Sequence, residues 1–87
     1  MKNVRLDSGI NLQVKDSVMD NMELLDDLVE LDEGNGYAIS RVLSRMLEPE
    51  EKKKLYDHLR VDGVTKVSSV VLAMHEIFNK LGEEGKN

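Results

Sequence analysis

The chain carries two imidazoles, His58 and His75, and no cysteine. Neither histidine has a second His or a Cys at ligand spacing, so no thiolate or imidazole metal set forms. Nucleophilic chemistry needs a hydroxyl such as Ser68 or Ser69 paired with one of them, and nothing in the spacing supports that pairing. Both histidines read as surface or boundary residues of helices. Asp32-Glu33-Gly34-Asn35-Gly36 looks superficially like a calcium loop. Its oxygens do not alternate over a loop of the required length, and no glutamate closes it, so it reads as a helix stop. No Gly-rich phosphate cradle follows a strand. The residues predict no enzyme, no metal and no cofactor.

Charge is the stronger signal. Residues 16–33 hold eight acids and no base. Asp16, Asp20, Glu23, Asp27 and Glu30 step by four, three, four and three, which places a row of carboxylates on one face of a single helix. Val18, Met22, Leu25 and Val29 follow the same spacing on an apolar stripe, widened by Leu24, Leu28 and Leu31. Charge runs usually just solvate a helix. The lack of any compensating Lys or Arg points instead to a protein partner. The opposing charge has three sources: Arg41 and Arg45 within the fold, another copy, or a different protein. Asp20, Glu23, Asp27, Glu30, Arg41 and Arg45 are therefore the candidate partner-binding residues. Lys52-Lys53-Lys54 with His58 and Arg60 is a modest basic patch, diluted by Glu50, Glu51 and Asp57, and reads as a solvated face.

The elements that must position these residues are mainly helical. Val4 and Leu6, then Ile10, Leu12 and Val14, alternate around Asp7-Ser8-Gly9, which predicts a short N-terminal β-hairpin over 2–14. Asp16 or Ser17 caps a first helix running to about Asp32, ended by Gly34-Asn35-Gly36. A second helix spans Tyr37 to Leu47. Glu48-Pro49 opens a third, reaching about Leu59. Asp62-Gly63 is a turn. The last helix, about Thr65 to Leu81, has the clearest amphipathic pattern and is expected to be the core element, with Val70, Met74 and Phe78 buried and Gly82 stopping it. The fold class is mainly α: about four helices in a small bundle with a short hairpin. One domain covers 1–82, and 83–87 form a flexible tail.

At 87 residues with only Tyr37, Tyr56 and Phe78 as aromatics, the core is small, and self-association is a reasonable way to gain stability. The acidic helix of one copy meeting Arg41, Arg45 and Lys52–Lys54 of another would make a homo-oligomer. A net charge of −5 argues against nucleic acid. No apolar run reaches membrane-spanning length and no signal-peptide core follows Met1. A soluble protein of the cytoplasm is expected.

Three segments, Val4-Arg5-Leu6-Asp7-Ser8-Gly9, the run from Asp16 to Asp26, and the run from Lys53 to Arg60, resemble small tail assembly chaperones of long-tailed phages and prophages of Gram-positive bacteria. The resemblance covers most of the chain, from the hairpin to the third helix. It implies a small, acidic, largely helical protein that binds the long apolar tape measure protein before the tail tube forms, and is absent from the finished particle. It supplies no motif that assigns contact residues. It also implies a longer form made by ribosomal frameshifting, and one coding of Gly85-Lys86-Asn87 is a slippery run of adenines. Two other classes compete: a structural head–tail or tail component retained in the virion, and a small acidic antitoxin-like regulator. The five methionines would give a client an adaptable surface, although Met at helical spacing is more often core.

Overall fold

In the computed structural model, which describes residues 1–84, the alternating N-terminal segment forms the hairpin. Strand β1 (Lys2–Arg5) pairs antiparallel with β2 (Asn11–Val14), Lys2 opposite Val14. The Leu6 amide donates to the Ile10 carbonyl at 2.9 Å across a turn whose Gly9 has φ 102°, a conformation open to glycine at little cost. Val4, Leu6, Ile10, Leu12 and Val14 are all buried, so one face of the hairpin closes the helical core.

The acidic segment is not one helix. Asp16–Asp20 form a 3₁₀ helix, Asn21 is extended (φ −132°, ψ 110°), and α1 begins afterwards, at Met22–Asp32. Asn21 causes the break. Its side-chain oxygen accepts from the amides of Glu23 at 3.0 Å and Leu24 at 3.2 Å, so Asn21, rather than Asp16 or Ser17, caps α1. The carboxylate row is therefore interrupted between Asp20 and Glu23. At the far end Gly34 (φ 101°) donates to the Leu31 carbonyl and Asn35 to that of Glu30, a Schellman closure. That is the physical content of the predicted stop.

Helix α2 (Ala38–Met46) and α3 (Pro49–Leu59) lie close to their predicted bounds, with Pro49 in the first turn of α3. Val61 and Val64 exchange backbone hydrogen bonds around Asp62 and Gly63, both at positive φ, as a tight primed turn requires. Helix α4 runs Val67–Glu84. Gly82 does not stop it but lies inside it, and Glu83 and Glu84 belong to the helix rather than to a tail. Residues 85–87, and with them the expected frameshift junction and the rest of the tail, lie outside the described residues.

The core is centred on α2 and β2 as much as on α4. Val42, Leu43, Met46, Leu12, Val14, Leu55 and Ile77 are fully buried. Val70 and Met74 are buried as expected, whereas Phe78 is only partly covered and packs at the edge of this cluster. Arginines on the opposite side of α2 then meet α1.

Candidate partner interface

Helix α1 presents three faces. Leu24, Leu28 and Leu31 turn inward, Leu24 fully and the others partly buried against the core. Glu23, Asp27 and Glu30, one turn apart, face α2, where Arg41 and Arg45 are also one turn apart. The third face is apolar and uncovered.

The α1–α2 contact is an ion-pair ladder. Asp27, only 6% exposed, sits at its centre. Arg41 Nε donates to Asp27 Oδ1 at 3.1 Å and Arg45 Nε to Oδ2 at 2.5 Å, so each carboxylate oxygen has its own guanidinium. Arg41 also donates to Glu30 through Nη2, and Arg45 Nη1 lies 3.6 Å from Glu23. The Arg45 hydrogen bond is the largest influence on Asp27. With that of Arg41 it outweighs the opposing effect of burial and holds the carboxyl below its ordinary range. The same bond raises the Arg45 pKa. Five of the six candidate residues are thus brought together, and the fold itself supplies their opposing charge. Asp20 stands apart, exposed on the 3₁₀ helix.

The uncovered face is where sequence and structure part. Met22, Leu25 and Val29, with Met19 from the 3₁₀ helix, are 66%, 50%, 47% and 62% exposed. Periodicity identifies this stripe correctly but not its direction. Once Asp27 meets two arginines on α2, the Leu24–Leu28–Leu31 stripe must turn inward and the other outward. The first turn of α1, the 3₁₀ helix and the ring of Phe78 from α4 enclose a groove of about 370 Å³. Val18, Leu24 and Leu28 form its floor, and Met19, Met22 and Leu25 its upper walls.

Other polar groups pair between elements or locally along α3. Lys52 donates to the hydroxyls of Ser40 at 3.0 Å and Ser44 at 2.8 Å, and lies 5.8 Å from the Tyr56 ring centroid. Lys53 and Arg60 both pair with Asp57, lowering its pKa, the Lys53 bond most, and Lys54 lies 3.4 Å from Glu51. The cations expected to attract a second copy are therefore already engaged. Lys80 Nζ, at 2.5 Å from the Arg5 carbonyl and 3.0 Å from Asp7, ties the hairpin turn to α4, and its pKa is raised, chiefly by the Asp7 bond.

One histidine has a hydroxyl partner that sequence spacing does not reveal: His58 Nε2 lies 2.9 Å from Ser8 Oγ, fifty residues away. Both residues are exposed on the outside of the fold, and no carboxylate is hydrogen-bonded to the ring among the described residues. The pair has the distance of a nucleophile–base couple, without a carboxylate to orient the ring among the described residues. It joins the hairpin tip to α3. His75 is exposed on α4. Among the described residues no group of three or more His, Asp or Glu is arranged to hold a metal ion, and no helix is long and apolar enough to cross a membrane.

Compared with family models, with curated proteins and with solved structures, the chain matches none.

Proposed function

We propose that this chain is a tail assembly chaperone of a long-tailed phage or prophage, which binds the tape measure protein in the host cytoplasm and keeps it soluble until the tail tube forms. The observation that carries this reading is the uncovered Met22–Leu25–Val29 stripe on a helix locked in place by buried Asp27. A small acidic protein that leaves contiguous apolar surface open has that surface available for a partner. A long helical client that aggregates when bare requires an apolar docking face and a charged exterior. The resemblance of the hairpin turn, the acidic segment and α3 to such chaperones supports the same assignment. In this reading the chain works by binding and performs no catalysis. Asp20 contributes charge beside the docking face, while Glu23, Asp27 and Glu30 pair with Arg41 and Arg45 to hold α1 in position.

Co-expression tests it. The tape measure protein encoded by the same phage should be insoluble alone, become soluble with this chain and co-purify with it. Mass spectrometry of purified particles should then find the tape measure protein and not the chaperone. Recovery of this chain from the particle would assign it to the retained tail components. Failure to capture the tape measure protein, with capture of a basic toxin, would replace the chaperone by an antitoxin-like regulator.

A further inference from the structure

We propose that the groove between the 3₁₀ helix, α1 and Phe78 takes an amphipathic helix whose apolar stripe is bordered by Lys or Arg. This deepens the chaperone reading and rests on it for a protein as the natural occupant.

The argument is one of complementarity. The groove is mainly apolar, with Asp20 and Asn21 also lining it, and exposed Val29, one turn beyond Leu25, extends the line of Met22 and Leu25 along α1. Anchors at that spacing suit the i, i+3, i+7 ridge of another helix. Methionines at the opening, Met19 and Met22, adapt to side chains of different shape. The carboxylates nearby divide into two sets. Asp16 pairs with the chain's amino terminus, and Glu23, Asp27 and Glu30 with Arg41 and Arg45. Asp20, Asp26, Asp32 and Glu33 form no ion pair among the described residues, Asp26 acting on Arg45 only through space, and all four are exposed on the 3₁₀ helix, on α1 or at its C-terminal cap. The apolar stripe is thus edged by acids that the fold leaves without a contacting cation.

A second copy of the chain is a poor occupant. It carries the same net charge of −5 and would set the same acidic edge against this one. A helix with a basic border neutralises that edge as its apolar side fills the groove.

The test uses the full chain and synthetic peptides of roughly 18 residues, about five helical turns. One peptide has Leu and Met at helical spacing bordered by Lys, a second has Glu in place of Lys, and a third scrambles the first. Binding is followed by calorimetry and by amide NMR shifts. The Lys-bordered peptide should bind, shift residues 18–28 and Phe78, and lose affinity as salt rises. Leu25→Asp should weaken it by about tenfold or more, and Asp20→Asn with Asp26→Asn should flatten the salt dependence. Equal binding of the Glu peptide would overturn the charge argument. Equal binding of the scrambled peptide, or shifts elsewhere, would overturn the groove. A dimer abolished by Leu25→Asp, together with no peptide binding, would assign the face to a second copy and overturn the proposal.

The two readings fail separately. Peptide binding in the groove without rescue of the tape measure protein removes the chaperone and leaves the groove. Rescue that survives Leu25→Asp removes the groove and leaves the chaperone.

Discussion

Asp27 decides how α1 is oriented. A carboxylate this buried is stable only with its oxygens occupied, and removing a partner leaves charge without compensation. Asp27→Asn should therefore lower the melting temperature more than Glu30→Gln, whose carboxylate is exposed. Circular dichroism melts check this, and equal effects would show that the ladder is not centred on Asp27. Because its folded pKa is depressed, the stabilisation by Asp27 is complete above its unfolded value, near 3.8, and is lost as pH falls through the lower folded value. The difference in urea midpoint between wild type and Asp27→Asn should be constant near neutrality and shrink in acid; growth of the difference in acid would contradict the assignment. The sequence makes the acids and the arginines legible, and even their alignment one turn apart. It does not say that they meet, because 14 and 18 residues separate Asp27 from its partners and pairing at that range is set by how helices pack. Ser8 and His58 escape sequence reading for the same reason.

At the scale of elements, local chemistry was the dependable guide wherever one residue type forces a conformation. Gly9 and Gly34 at positive φ, Pro49 at the start of α3, and the alternation of Leu12 and Val14 all read directly from sequence. Asn21 and Gly82 did not. The acidic and apolar spacing runs through Asn21 as if a helix continued, yet its side chain competes for the backbone amides. The apolar pattern ends at Leu81, yet α4 continues through Gly82 to Glu84 despite a penalty of about 1 kcal/mol. Asn21→Ala should cost about 1 kcal/mol, and Asn21→Asp should restore most of it. Chemical denaturation measures both, and no loss with alanine would mean that the cap does not hold the break. Ile77→Ala should cost about 2–5 kcal/mol, against a smaller loss for partly covered Phe78→Ala. The reverse order would move the core edge of α4. Lys80→Met should lower stability at neutral pH. The raised folded pKa means that the stabilisation by Lys80 is present below 10.5 and fades as pH rises through that raised value, so the gap from wild type should close in alkali.

For the whole molecule, the acidic balance and the bundle with its hairpin follow from composition and periodicity, but the direction of the Met22–Leu25–Val29 stripe does not. A helix with two apolar stripes has two ways to bury one, and the arginines of α2 select between them. The consequence is a protein whose fold is held by one set of acids and whose open face is edged by another. The most direct test of the central claim is the affinity of the chain for its proposed client, the tape measure protein, measured by titration for wild type and for Met22→Asp with Leu25→Asp. Both side chains are exposed, so the variant should keep its helical circular dichroism and melting temperature while losing about tenfold or more in affinity. Unchanged affinity in a folded variant would contradict the account.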